Sequence, residues 1–474
     1  MLFHLALLTS LTACNGTDDT DDTNTDDTSV DDTGTDDTGT ETDPCDDYDD
    51  PCVFVDPTDA EADLLEVVNS LEDNHTVLLG AGTFELNNEV SISGVSGISV
   101  IGAGMDETLL DFASMTIQGN GVFAVGDNFL ISGLTVANSK KDGIRVEDSD
   151  GVTMRDVKAT WTNGPATENG AYGLYPVRVQ NVIIEDSVAS NASDAGIYVG
   201  QCTNALVRNN VANGNVAGLE IENTQYADVY GNLVEDNTGG LVIFDLPGNP
   251  IVGHDVYVHD NIVRNNNREN FAPGGTVAAI PAGTGTFAMA SRRVEITGNT
   301  YENNNSVDIA IISGLIIEGD PMVWALDPTA LQGDAGKTTY DEDSGFVFNF
   351  RSHDIYVHGN THSGSGTAPD SSSLEIRPLG TILAVIYQLA GETVDNVLYD
   401  GIQESSFSTT EASGNSNDNH ICVAADEGSM ANFNASGLSD FPSLAEIYRP
   451  AAPFAPYDCS DLTGGTIDLP DLGE

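Results

Sequence analysis

The chain has 474 residues, with 15 Lys and Arg against 75 Asp and Glu, for a formal net charge of −60. Such a surface repels phosphate backbones, which excludes nucleic acid as a partner. The length fits one long solenoid or about three domains of roughly 150 residues. The acidic balance fits a solvated surface, and its hard carboxylate oxygens also admit calcium.

The first 14 residues, MLFHLALLTSLTAC, are an apolar run too short to span a bilayer as a helix. Its end, Leu11-Thr12-Ala13-Cys14, resembles a bacterial lipoprotein signal. The resemblance implies lipidation of Cys14, attachment to a membrane through the lipid alone, and a place at the outer membrane or cell surface. A soluble secreted protein is the alternative, and no later segment reads as transmembrane. Residues 15–52 come next, nearly all Asp and Thr at first. Sixteen acidic residues and no Lys or Arg fall within residues 1–50. Nothing in this stretch offsets chain entropy by burial, so it reads as an extended tether. In an exported chain Cys45, Cys52, Cys422 and Cys459 are candidates for disulfides, with connectivity open. Cys202 lies inside a repeat and is expected as a buried free thiol. No cysteine or histidine cluster has metal-site spacing.

Residues 58–74 carry Leu64, Leu65, Val68 and Leu71 on one helical face, with Thr58 or Asp59 placed to cap it. This helix is expected to cover the open end of a stack of short repeats. Glycine-led apolar alternation recurs at Gly143 (GIRVED), Gly173 (GLYPVR), Gly196 (GIYVGQ), Gly218 (GLEIEN) and Gly240 (GLVIFD), in steps of 30, 23, 22 and 22 residues. A unit this short cannot close its own core and must stack on its neighbours. Each is followed by a second apolar strand, such as ALVRNN at 205–210 or DVYVHDN at 255–261. Asn210, Asn232, Asn261, Asn299 and Asn360 close these strands at equivalent places. Asn tolerates left-handed backbone, suits a corner, and can bond to its stacked neighbours along the axis. Longer insertions fall at 158–170, 245–254, 265–292 and 318–344. Past residue 370 the period fades, with a possible helix near 379–390.

These strands and Asn corners resemble right-handed parallel β-helix proteins, the architecture of pectate lyases and alginate epimerases, over about residues 75–365. The run GAYGLYPVRVQNV through NTGGLVIFDLPG looks like a family of bacterial parallel β-helix repeat proteins, and VDNVLYDGI near 394–402 looks like its C-terminal motif. The expected fold is all-β: a right-handed parallel β-helix over 53–369, with an N-terminal capping helix and a C-terminal cap or small subdomain at 370–474. A monomer is expected.

In each glycine-led strand, residues at +1 and +3 should point inward: Ile144 and Val146, Ile197 and Val199, Leu219 and Ile221, Leu241 and Ile243. Those at +2 and +4 point outward and stack into columns about 4.8 Å apart. One column holds Arg145, Tyr175, Tyr198 and Glu220, and another holds Glu222. Asp245 stands at +5. Aromatic faces beside carboxylates and arginines suit sugars, and Arg145 and Arg178 could hold a uronate. The expected function is recognition of an extracellular polysaccharide through Arg145, Tyr198, Glu220, Glu222 and Asp245. An exposed sheet face with a purely structural role is the alternative. The run Tyr172-Gly173-Leu174-Tyr175-Pro176-Val177-Arg178 resembles the YG-x-DPHD motif of alginate epimerases, but Tyr175, Val177 and Arg178 replace its Asp, His and Asp. A lyase or C5-epimerase would then need Tyr175 or Tyr198 as base, its pKa lowered by Arg178. Neither reading calls for a cofactor.

Overall fold

Inward apolar pairs two residues apart can be buried only if successive strands lie side by side, and the computed structural model shows this arrangement. It describes residues 43–48, 51–327, 347–402, 417, 419–435, 447–458, 467, 469–470 and 472. The candidate lipidation site Cys14, the tether up to residue 42 and Cys459 lie outside the described residues.

A full coil contributes three strands, such as Ala195–Gly200, Thr203–Arg208 and Val211–Asn213. Each pairs in parallel with its counterpart one coil on, at Ala217–Glu222, Gln225–Tyr230 and Leu233–Glu235. First strands stack into an eleven-stranded sheet running from Val90–Ser93 to Met430–Asn432. Second and third strands form a twenty-stranded sheet. Ile144, Val146, Ile197, Val199, Leu219, Ile221, Leu241 and Ile243 all fill one core between them, as the alternation requires. The ladders continue past residue 369: Val397–Tyr399 pairs with Val307–Ile312, and Ile421–Val423 pairs with His353–His358.

The helix near the start spans Ala60–Asn69, and Leu64 and Val68 join the core. Its entry turn is held by Asp56, whose Oδ1 accepts from Thr58 N at 3.0 Å and Thr58 Oγ1 at 2.7 Å. The late helix is short, Pro378–Leu383, and continues as a π-helical turn over Ala384–Gln388. Cys45 and Cys52 are disulfide-bonded, Cys422 is also in a disulfide, and Cys202 is a buried free thiol.

The corner asparagines stack as expected. Asn210 Nδ2 donates to Asn232 Oδ1 at 3.0 Å, and the series continues through Asn261, Asn299 and Asn360. Each amide also reaches a backbone carbonyl, Val207 O for Asn232. Left-handed backbone, however, falls one residue earlier, at Asn209, Gly231, Asp260, Gly298 and Gly359. The ladder asparagines are thus selected for their amide, which has a donor and an acceptor facing opposite neighbours. A second ladder runs through Asn215, Asn237, Asn266 and Asn304. The two end on carboxyls: Asn360 on Glu427 and Asn304 on Asp308. His362 joins those ends, with Nδ1 at 2.9 Å from Asp308 Oδ2 and Nε2 at 2.8 Å from Glu427 Oε2.

Candidate functional site

The outward residues of the eleven-stranded sheet form the expected columns. Arg145 is the ladder partner of Tyr175, Tyr198 of Glu220, and Gly200 of Glu222. Toward the C-terminal end these columns lie under a second apolar cluster rather than in solvent. Val242, Phe244 and Phe287 pack there with Val277, Ile280, Leu315, Trp324, Leu379, Leu383 and Tyr387. The insertions and the late helix therefore roof that half of the face. The half around Arg145, Tyr172 and Asp194 remains partly exposed.

Where the roof ends, three tyrosines meet. The Tyr172 ring lies 4.6 Å from Tyr175 and 4.5 Å from Tyr198, centroid to centroid, and Tyr175 and Tyr198 stand edge to face at 4.9 Å. Gly200 makes room for this cluster, since a Cβ there would collide with the Tyr198 ring. Arg145 lies over the Tyr175 ring at 4.9 Å. Phe271 and Leu246, from two of the predicted insertions, pack against the second apolar cluster, to which Tyr175 and Tyr198 also belong. Thr167 Oγ1 donates to Phe271 O at 2.9 Å, which ties a third insertion to that of Phe271.

Beneath and beside the rings lie Asp194, Glu220 and Glu222. Glu220 and Glu222 are 1% and 3% exposed, and neither Glu220 Oε1 nor Glu222 Oε2 has a hydrogen-bond partner. Glu222 Oε1 accepts from Asn249 Nδ2 at 2.6 Å. Burial pushes the Asp194 carboxyl up to about 7, although the Tyr172 hydroxyl draws it down. Burial raises Glu222 to about 7 against the Asn249 hydrogen bond. Glu220 is raised well above the ordinary glutamate value by burial and then by Asp194. Burial raises Tyr172 too, and Asp194, Glu220 and Glu222 add to the effect. Carboxyls of this kind hold a proton near neutrality and can donate it.

The cationic side chains are otherwise engaged. Arg145 pairs with Glu147 at 2.7 Å and Asp142 at 3.4 Å. Arg178 pairs with Asp148 at 2.6 Å and Glu147 at 3.4 Å. Arg178 therefore does not serve Tyr175 as expected: Arg145 is the cation on that ring, and burial raises the Tyr175 phenol to about 12 despite it. Tyr175 is not poised as a base. Asp245 also departs from expectation. It is 2% exposed and anchors a buried network of Arg292 Nη1 at 2.9 Å, Asn349 Nδ2 at 2.9 Å and Gly253 N at 3.1 Å. These contacts tie it into the fold instead of leaving it outward on the column.

Sequence reasoning placed Arg145, Tyr175, Tyr198, Glu220 and Glu222 on one outward face; they share that face, but Tyr175, Tyr198, Glu220 and Glu222 are buried on it and Arg145 alone of the five is half-buried. It gave Tyr172 no role in binding, because that residue precedes the glycine from which the columns are counted. Asp194, two residues before Gly196, lies at the same edge. His259 and His358 are held by Asp228 at 3.0 Å and Glu295 at 2.9 Å. Among the described residues no group of three or more His, Cys, Asp or Glu is arranged to hold a metal ion.

The family described as the right-handed beta helix region matches residues 116–252 and 162–319. No curated protein matches the chain. Solved structures similar to it include the A-module of mannuronan C-5 epimerase AlgE4 from Azotobacter vinelandii. That match has 15% identity and a TM-score of 0.37, covering 66% of this chain and 96% of that one. An alginate lyase from Paenibacillus is 15% identical with a TM-score of 0.30, over 55% of this chain and 90% of that one. The catalytic unit of an alpha-1,3-glucanase from Streptomyces thermodiastaticus is 15% identical with a TM-score of 0.39, over 65% and 58%. With its parallel ladders and three strands per coil, the chain is a right-handed parallel β-helix repeat protein.

Proposed function

We propose that this protein binds a polysaccharide outside the cell, along the partly roofed crevice at Tyr172, Tyr175 and Tyr198. The observation that carries this reading is the tyrosine cluster beside buried carboxyl oxygens that lack partners. Sugar rings present apolar faces to aromatic rings and hydroxyl donors to such oxygens. Cys14 would hold the protein at the membrane by its lipid, and the acidic stretch would extend the β-helix away from it. Two experiments test this. A glycan array probed with the β-helix and its C-terminal segment should return hits that Tyr198→Ala weakens. Cys14→Ser should move the protein from the membrane to the soluble fraction.

A second reading has its own support. Asp194 and Glu222, both near 7, and Glu220, also raised, could protonate a glycosidic oxygen while another carboxylate activates water. Lysis or epimerisation by a Tyr175 base is disfavoured by the raised phenol. Release of reducing ends from an array hit, abolished by Glu220→Gln, would decide for hydrolysis over binding alone.

A further inference from the structure

We propose that the crevice takes a glycan bearing free basic amino groups, a polymer with unsubstituted hexosamine residues, and rejects uronate polymers. Three clustered tyrosine rings and two buried carboxyl oxygens without partners lie together there, while both arginines of the face are already neutralised. The inference rests on the glycan-binding reading and names its substrate class.

A uronate chain needs cations. Arg145 and Arg178 are the basic side chains on these columns, and each holds two carboxylates of the protein itself. A uronate would have to break those pairs and enter the field of Asp194, Glu220 and Glu222, on a chain of net charge −60. Buried like charges brought together without a partner are strongly disfavoured.

An ammonium group reverses each of these terms. It carries three donors and no acceptor, so it can satisfy Glu220 Oε1 and Glu222 Oε2 together. Its charge is attracted by the faces of nearby aromatic rings. Glu220 comes after Tyr198 in one column, and Glu222 comes after Gly200, the residue lying under the Tyr198 ring. Rings and carboxyls therefore line one place. Its arrival also favours ionisation of carboxyls that otherwise keep their protons. The sugar ring then lies on the tyrosines, and its amine points down to the glutamates.

The test is calorimetric titration of the tether-containing protein without lipid with three hexasaccharides: glucosamine, N-acetylglucosamine and galacturonate. We expect glucosamine to bind at least about tenfold tighter than its acetylated form, galacturonate to give no heat, and the preference to shrink at high salt. Glu220→Gln/Glu222→Gln should abolish the preference. It changes a net charge of −60 by only two, so a preference that survives in this variant would be non-specific attraction and would overturn the proposal. Glu222→Gln alone replaces it if the double variant does not fold. Equal binding of the two glucosamine oligomers, or tighter binding of galacturonate, overturns the proposal and leaves the glycan-binding reading standing. If none of the three, nor any array glycan, binds, both fall.

Discussion

The Tyr198 ring lies over Gly200, two residues along the same strand, so closely that no Cβ fits between them. The aromatic floor of the crevice therefore depends on a residue that touches no ligand. Gly200→Ala must either push the Tyr198 ring off the cluster or strain the strand, at about 1–3 kcal/mol. Glycan affinity should fall nearly as far as in Tyr198→Ala, by about 1–3 kcal/mol. Titration of both variants against one array hit checks this. Full affinity in Gly200→Ala would mean that the ring position is immaterial to binding.

The inward register has its own test. Leu219 is completely buried between Ile197 and Leu241 on the neighbouring strands. Leu219→Ala should cost about 2–5 kcal/mol through lost contacts and a cavity. Leu219→Asp should cost more, because it adds a buried acid without a partner. Thermal melts of the two variants should rank in that order.

The stacking of coils was legible because its signal is local and repeated: a glycine, alternation, and an asparagine at a fixed offset. What the sequence hid is what the columns meet. Thr284–Met289 continues the eleven-stranded sheet, yet it falls inside a stretch read as an insertion, since 45 residues separate Gly240 from Gly285. Roofing by Trp324, Leu383 and Tyr387 comes from segments far along the chain, and no repeat announces it. Asp245 illustrates the cost: its column position pointed outward, but its partners Arg292 and Asn349 lie 47 and 104 residues away. The second asparagine ladder was visible in principle, since Asn215 and Asn237 are spaced like Asn210 and Asn232.

The ladders themselves should resist interruption. Asn232 Oδ1 accepts from both the backbone N and Nδ2 of Asn210, and its own Nδ2 serves Val207 O and Asn261 Oδ1. Asn232→Ala strands several buried groups at once. The expected loss is at least about 1–3 kcal/mol, the cost of one unsatisfied buried polar group. Asn237→Ala breaks the parallel ladder and should behave alike, and chemical denaturation of each variant measures the effect.

The junction of the two ladders should make stability depend on pH. Burial alone would lower the His362 pKa, but its hydrogen bonds to Asp308 and Glu427 outweigh that and hold it at about 9, against an ordinary 6.5. A folded pKa above the unfolded one means that the folded state binds the extra proton. The stabilisation is complete below about 6.5 and is lost as pH rises through about 9. Asp194 and Glu222 push in the same direction, but over a lower window that closes near 7. Above 7 the decline should therefore belong to His362, with Glu220 and His259 the other groups to separate, since burial lowers His259 but its hydrogen bonds to Asp228 and Asp260 raise it overall. His362→Gln removes the titration while keeping one amide donor for the carboxyls. Melting temperatures measured from neutral pH to above 9 should fall in the parent protein and fall less in His362→Gln. Superimposable profiles would mean that His362 does not gain its proton from this site.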